Sequence, residues 1–465
     1  MERMSTLDAG FFFAEHTNVP MHLGALAVFE GPAPSYRELA GLYAAKLSRV
    51  PRYRQVVRTA PLHVFRPAWT DDEHFEIGYH LRHAAVPTPG RATQLNRLAG
   101  QIYSAPLDRS RPLWEAWLLE GIEAGRWAIL SKVHHCMVDG VGGADLMAEL
   151  FDLRPDAGPP APPTAWHPQP GPPLACTVAS GLRDAVMCPL QVLARVPGLM
   201  RQRLPARADL AAFTRGLTSS AWRLTVPSAS CLNGPIGPGR QWAWTTASLN
   251  RVKQIRTECG GTVNDVVLAA ITRGFRDLLI ERGELCDGLI VRSLVPISIR
   301  CAEDEGEITN RLSAVLANLP VAESDPIRRL QLVSDQMDQI KRTRQAAGAE
   351  LLTHVLGAAP PAFLNLGARA AFQIPQPLVQ TMTTNVPGPQ FPLYILGRKM
   401  VQAHPYTPIG DNVKIAIAIF SYLGQLSFGI TAEASAAPEL DILAQGIHHG
   451  LDELLPHSAA YSHAG

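Results

Sequence analysis

The chain has 465 residues, and at roughly 100 to 200 residues per domain this length predicts two domains with a cleft between them. Its 42 basic and 41 acidic residues leave a net charge of +1, which excludes the broad positive field of a general nucleic-acid binder. With 18% charged and 46% hydrophobic residues, no signal peptide and no apolar run of about 20 residues, the composition predicts a cytoplasmic protein, peripheral to a membrane at most.

The first elements along the chain are predicted to be mixed α and β. His22 to Phe29 has the continuous apolar pattern of a buried strand, and Trp127 to Val133 has the same pattern. Between them, Ser35 and Glu38 have capping-box spacing, and the amphipathic helix that they begin is predicted to end before Pro51.

A proline-rich segment divides the chain. Nine prolines lie between Pro155 and Pro173, a density that excludes a helix and favours an extended connection. We therefore predict an N-terminal domain of residues 1–153, a linker of residues 154–175 and a C-terminal domain of residues 176–465.

The C-terminal part repeats the mixture of helices and strands. The apolar segment Thr177 to Leu204 is predicted to pack on the core or lie on a lipid surface. The segment Leu351 to Met382 is predicted to form core or the wall of an acyl tunnel, with a membrane anchor as the less favoured alternative. Helices are predicted at Val263 to Glu281 and around Pro326 to Ala346, and strands at Leu289 to Pro296 and Val413 to Ile419.

The sharpest local feature follows the strand Trp127 to Val133 and reads His134-His135-Cys136-Met137-Val138-Asp139-Gly140. Because neighbouring side chains on a strand point to opposite faces, His134 and His135 are not expected to serve one cavity, so one is predicted to be chemical and the other supporting. Gly140 permits a sharp turn that keeps Asp139 beside the strand end. Two core histidines, or a metal site formed with Asp139, stay open as alternatives. The seven cysteines lack CxxC spacing, which favours a reducing compartment and no zinc site.

The segment His134 to Gly140 matches an HHxxxDG motif, and the chain resembles the bacterial wax ester synthase/acyl-CoA:diacylglycerol acyltransferases, in particular the triacylglycerol synthases of lipid-storing actinobacteria. Other segments resemble motifs of this family in the same order along the chain. They are Leu7-Asp8-Ala9, Pro20-Met21-His22, Pro106-Leu107 with Pro112-Leu113-Trp114-Glu115, Leu232-Asn233-Gly234-Pro235, Val263-Asn264-Asp265-Val266 and Thr384-Asn385-Val386-Pro387-Gly388-Pro389.

The resemblance implies a two-domain α/β fold similar to chloramphenicol acetyltransferase, with mixed sheets flanked by helices. It implies transfer of a long-chain acyl group from acyl-CoA, a co-substrate, to diacylglycerol, with no bound cofactor and no metal. His135 is then the general base. His134 and Gly140 support it, and Asp139 orients the site through an arginine, for which Arg300 is a candidate.

Four further residues are candidates for substrate binding or oxyanion stabilisation: Asn264, Asp265, Asn385 and Gly388. The first two can instead cap the helix that follows, and the other two can form a rigid turn. Cys136 is predicted to be a small buried hydrophobic residue and not a nucleophile.

Three competing functions stay open. A wax ester synthase would use a long-chain alcohol in place of diacylglycerol. A condensation enzyme would act on carrier-bound substrates, but the chain lacks the DFGWG-like segment of such domains. A non-catalytic protein would bind lipid or coat droplets, which the intact His135, Asp139 and Gly140 argue against. The inner face of the membrane and the surface of lipid droplets are expected places of peripheral contact.

Overall fold

The computed structural model describes residues 2–59, 66–138, 149–158, 166–169, 171, 228–298, 312–346 and 378–461. Several predictions lie outside these residues. They concern Asp139, Gly140, Arg300, the segment Thr177 to Leu204, most of the linker 154–175 and most of Leu351 to Met382.

The described residues form the following strands and helices, in chain order. They are β1 (Glu2–Arg3), α1 (Thr6–Ala14), β2 (His22–Phe29), α2 (Tyr36–Lys46), β3 (Gln55–Arg58), β4 (Ala68–Asp71), α3 (Ile77–His80), β5 (Leu81–Ala85), α4 (Ala92–Ser104), β6 (Trp114–Ile122), β7 (Arg126–His134), α5 (His135–Val138), β8 (Arg240–Ser248), α6 (Leu249–Cys259), α7 (Val263–Glu281), β9 (Val291–Ser298), β10 (Leu312–Leu319), α8 (Pro326–Ala346), β11 (Thr381–Val386), β12 (Tyr394–Ile395), β13 (Arg398–Tyr406), β14 (Ile415–Tyr422), β15 (Gln425–Glu433) and α9 (Leu440–Tyr461).

The N-terminal sheet has six strands in the order β12-β13-β2-β7-β6-β5. Its central strands β2 and β7 are antiparallel, with His22 opposite His134. Both faces are buried, because Ala27 belongs to the cluster that includes α2, whereas its neighbour Leu26 belongs to the cluster that includes α4. Two strands of this sheet, β12 and β13, come from the C-terminal part of the sequence.

The C-terminal sheet has six strands in the order β10-β9-β11-β14-β15-β8. It is mixed, since β11 runs parallel to both β9 and β14, whereas the other pairs are antiparallel. Helices α7 and α9 pack on each other, and their apolar residues join those of the sheet in one core. A third sheet of three short strands has the order β1-β4-β3.

The mixed α/β prediction is confirmed, and several elements have the predicted bounds. The strand β2 and the helices α7 and α8 begin and end where the apolar pattern indicates. The predicted capping box of α2 is present, with Ser35 and Glu38 bonded reciprocally. This helix ends earlier than predicted, because the chain tightens into a 3-10 turn at Leu47–Arg49.

Two of the segments that resemble family motifs make structural contacts within the fold. The indole Nε1 of the buried Trp114 donates to the carbonyl of Tyr53 at 2.8 Å, and its ring stacks on His80. The Asn233 amide donates to the carbonyls of Val379 at 2.7 Å and Asn412 at 2.8 Å, which ties together the segments that lead into β11 and β14. Among the described residues, no helix is both long enough and apolar enough to cross a membrane.

Candidate active site

The two histidines lie where β7 gives way to α5. The strand ends at His134, and His135 is the first residue of the helical turn. The expectation that the two side chains alternate along one strand is therefore wrong. The chain turns because the His134 N–H donates to Leu113 O at 2.9 Å, while the His135 N–H donates to Met21 O at 2.8 Å.

His134 is fully buried and both of its ring nitrogens face protein groups. Its Nδ1 accepts the N–H of Cys136 at 3.1 Å, so its proton is assigned to Nε2. That Nε2 lies 3.5 Å from Oε2 of Glu15. The bond to Nδ1 and the carboxylate beside Nε2 argue against a metal ion shared between His134 and His135.

His135 is half-buried and packs on an aromatic ring. Its imidazole stacks on Phe11 with the ring centroids 3.8 Å apart and the planes 23° from parallel. Burial, with a smaller contribution from His134, lowers the pKa of His135 from 6.5 to about 4. The imidazole is therefore neutral at physiological pH and able to accept a proton.

The ring on which His135 stacks lies between the two large sheets. Phe11 packs against a small apolar cluster, and that cluster also includes Ala416 of β14, with Met382 of β11 packed against it. The other members of the cluster are Ala14, Val19, Met21, Ile236 and Ile409. Helix α1 therefore connects the histidines to the C-terminal sheet.

Two predicted polar residues meet in the C-terminal half. Asn264 is the second residue of α7, and Asn385 lies near the end of β11. The side-chain amide of Asn385 donates to Oδ1 of Asn264 at 3.3 Å. Because Oδ1 of Asn264 is thereby used as an acceptor, the NH₂ group of Asn264 is the part of this amide suited to donate to another molecule.

Asp265 has a geometry that supports the capping alternative. Its Oδ2 accepts the Thr262 N–H at 2.8 Å, and its own N–H donates to the Thr262 hydroxyl at 3.3 Å. The hydroxyl of Ser334 lies 3.4 Å from the same Oδ2. The carboxylate is buried within the protein and stabilises the start of α7.

Gly388 packs closely against Ser421 of β14. Its N–H donates to the Ser421 hydroxyl at 3.0 Å, and a Cβ at this position would lie 2.2 Å from the carbonyl oxygen of Ser421. This contact supports the rigid-turn alternative for the segment Asn385 to Gly388. Cys136 is buried, and burial raises the pKa of its thiol well above 9, which suits a small hydrophobic residue and not a nucleophile.

The sequence interpretation missed Phe11, Glu15 and Arg109. The guanidinium of Arg109 lies 3.8 Å from the ring centroid of Phe12 and donates to Phe12 O at 3.0 Å, and its Nε is 3.9 Å from Glu15. A signal was present, because Glu15 directly follows the apolar run Gly10 to Ala14, where an acidic residue is buried only if it has partners. Asp139 and Gly140, outside the described residues, stay predictions.

Comparison with known proteins identifies two family regions in this chain. Residues 4–267 match the wax ester synthase/diacylglycerol acyltransferase catalytic domain, and residues 308–455 match the WS/DGAT C-terminal domain. A relative from Mycobacterium tuberculosis named "Probable diacyglycerol O-acyltransferase tgs1" is 34% identical over 458 residues, which cover 98% of this chain and 96% of the relative.

Solved structures agree with this match. The wax ester synthase/diacylglycerol acyltransferase from Marinobacter aquaeolei superimposes with a TM-score of 0.70 at 26% identity, over 99% of this chain and all of the other. The starter condensation domain of rhizomide synthetase, solved with C8-CoA, has a TM-score of 0.57 at 12% identity, over 98% of this chain and 94% of the other, and shares the fold. The chain belongs to the wax ester synthase/diacylglycerol acyltransferase family.

Proposed function

We propose that this acyltransferase moves a long-chain acyl group from acyl-CoA to diacylglycerol, giving triacylglycerol and free CoA. The observation that carries the proposal is the neutral imidazole of His135, stacked on Phe11 where α1 meets the C-terminal sheet. The named activity of the mycobacterial relative supports diacylglycerol as the acceptor.

The proposed chemistry is a direct transfer in a ternary complex. His135 takes the proton of the acceptor hydroxyl while the hydroxyl oxygen attacks the thioester carbonyl. The tetrahedral intermediate then collapses, the carbon–sulfur bond breaks, and His135 returns the proton to the departing CoA thiolate. General-base assistance of this kind contributes about 10² to 10⁴ in rate. No covalent acyl-enzyme forms, in keeping with the buried thiol of Cys136.

The negative charge that develops on the carbonyl oxygen needs a donor aimed at it. We assign this role to the NH₂ group of Asn264, which its bond with Asn385 leaves suited to donate outward. Asp139 is proposed to orient the site through an arginine and not to form a dyad with His135. Acyl-CoA is a co-substrate in this scheme, and no resident cofactor takes part.

Long-chain diacylglycerol partitions into lipid, so the enzyme is proposed to collect it at a membrane or droplet surface from the cytoplasmic side. Val386 and Phe391, which flank the segment around Gly388, are each about half exposed, at 51% and 52%. These two side chains are accessible for contact with a lipid surface.

An acceptor competition tests the choice of substrate. Purified enzyme receives labelled palmitoyl-CoA with equal amounts of diacylglycerol and hexadecanol, and the labelled products are separated. We expect triacylglycerol to exceed wax ester. A clear preference for hexadecanol would make the chain a wax ester synthase, the second candidate, and no product with either acceptor would favour a lipid-binding role.

A further inference from the structure

Glu15 is a buried carboxylate at the end of α1, next to the paired histidines. It follows the last helical residue, Ala14, and only 8% of its surface is exposed. Burial alone would raise its pKa, but His134, the Met21 N–H and Arg109 together hold the pKa of Glu15 below 4.5. A buried charge is costly unless its partners compensate for the lost water, so the contacts of this carboxylate identify its role.

The two oxygens of Glu15 face different groups. Oε1 accepts the backbone N–H of Met21 at 3.2 Å. Oε2 lies 3.5 Å from Nε2 of His134, the nitrogen to which the proton of that ring is assigned, and 3.9 Å from Nε of Arg109. The carboxylate therefore accepts a hydrogen bond from one backbone segment and lies within ion-pair distance of the His134 imidazole.

Both of these groups hold the first turn of α5. The carbonyl of Met21 accepts the N–H of His135 at 2.8 Å, and Nδ1 of His134 accepts the N–H of Cys136 at 3.1 Å. The first N–H groups of a helix have no partner within the helix, and here two consecutive ones are bonded through neighbours of Glu15. Two series of contacts thus lead from this carboxylate to the first residues of α5, one through Met21 and one through His134.

The same helix also holds the ring of His135. Phe11 lies in α1, which Glu15 directly follows, and Phe11 stacks on the imidazole at 3.8 Å. We propose that Glu15 is a positioning residue for acyl transfer, which fixes the imidazole of His135 through Met21 and His134. The proposal rests on the general-base role proposed above for His135.

The substitution Glu15→Gln tests whether the carboxylate positions His135. The Gln amide can still accept the N–H of Met21 through its oxygen, but its NH₂ group then faces the Nε2–H of His134, and two donors repel. If His134 shifts its proton to Nδ1 in response, it loses the bond from Cys136. A displacement of the base by about 1 Å can cost about 10² in rate, so we expect kcat to fall at least about tenfold.

A matched control is Glu433→Gln. Glu433 is also buried and binds a backbone N–H, that of Ser435 at 2.8 Å, but it lies at the end of β15 in the C-terminal sheet and bonds neither histidine. We expect Glu433→Gln to keep kcat within about twofold of the parent, and Glu15→Gln to leave the KM for acyl-CoA within about twofold. Thermal unfolding and circular dichroism of both variants report whether each is folded.

The outcomes separate the two proposals. Loss of kcat in Glu15→Gln, with an unchanged KM and an unaffected Glu433→Gln, supports the positioning role. A kcat within twofold of the parent, an effect confined to KM, or an equal loss in both variants overturns it. His135→Ala is measured in the same series, because unchanged turnover in that variant would refute the general base itself and not only its positioning.

A measurement on the parent protein does not depend on any variant folding. The ¹⁵N shifts of the His134 ring should identify Nε2 as protonated and Nδ1 as an unprotonated acceptor. A proton on Nδ1 would mean that the bond from Cys136 does not exist in solution, and the proposed chain from Glu15 to α5 would fail.

Discussion

Replacing Phe11 by alanine should raise the pKa of the base. The pKa of His135 is lowered from 6.5 to about 4, and burial is the largest cause. The Phe11 ring covers one face of the imidazole at 3.8 Å, so its removal gives water access to that face. If one face accounts for somewhat less than half of the effect, the pKa rises by about 1 unit, which corresponds to about 1.4 kcal/mol between the two protonation states.

The direction in which the pH profile moves follows from the role of the base. A general base acts when neutral, so kcat/KM is constant above the pKa of His135 and falls as the pH drops through it. The parent enzyme should keep full kcat/KM down to about pH 5, whereas Phe11→Ala should lose half of it near pH 5. The assay follows CoA release by a thiol reagent at fixed ionic strength between pH 4.5 and 8.

The matched control is Phe13→Ala, which removes the same ring from the same helix at a position that packs in the N-terminal core. Phe13→Ala should lower the stability of the protein without changing the pH at which kcat/KM falls on the acid side of the profile. An acid limb that stays in place in Phe11→Ala, moves to lower pH, or moves equally in Phe13→Ala would refute the link between ring stacking and the pKa of His135.

Three further predictions concern stability. Burial lowers the pKa of His80 to about 4 and of His404 to about 3. Both stay neutral in the folded protein while the unfolded chain gains protons below pH 6.5, so these two groups should lower the free energy of unfolding in urea by about 2.4 kcal/mol between pH 6 and 5. A flat profile would contradict this. Trp114→Ala should lower the free energy of unfolding by about 3 to 5 kcal/mol, since it removes a buried ring and its bond to Tyr53. A loss below about 1 kcal/mol in the same urea titration would contradict the packing of Trp114 in the core. Gly388→Ala should cost about 1 to 3 kcal/mol, because its Cβ would lie 2.2 Å from Ser421 O, and an unchanged unfolding midpoint would show that the turn adapts.

Local pattern predicted the regular elements well. The apolar residues of α7 recur with helical spacing, and Asp265, one of the two predicted capping residues, caps the helix together with Thr262. The strand β2 is continuously apolar because both faces of its sheet are covered, by α2 and by α4. In both cases the residues that determine the element lie within it.

Long-range pairing was not predictable in the same way. Nothing local in Arg398–Tyr406 indicates that β13 joins the N-terminal sheet beside β2, since a strand pattern does not specify its partner. The bond between Asn264 and Asn385 joins residues 121 positions apart. Family resemblance marked both residues, but only the fold brings them together.

The division of roles between the two histidines stays a prediction, but the structural reason given for it was wrong. The separation of His134 and His135 was expected from the pleat of a strand, whereas the structure separates them by ending the strand at His134. The backbone at this break is bonded to Leu113 and Met21, which come from two other parts of the chain. No short window around the motif contains that information.

The central claim is that the imidazole of His135 removes the proton from the acceptor hydroxyl. The most direct measurement is the rate of CoA release from palmitoyl-CoA with diacylglycerol, for the parent enzyme and for His135→Ala, with acyl-CoA binding measured separately. For His135→Ala we expect kcat to fall by a factor of about 10² to 10⁴ while the affinity for acyl-CoA is retained. A His135→Ala enzyme that releases CoA at the parent rate would contradict it.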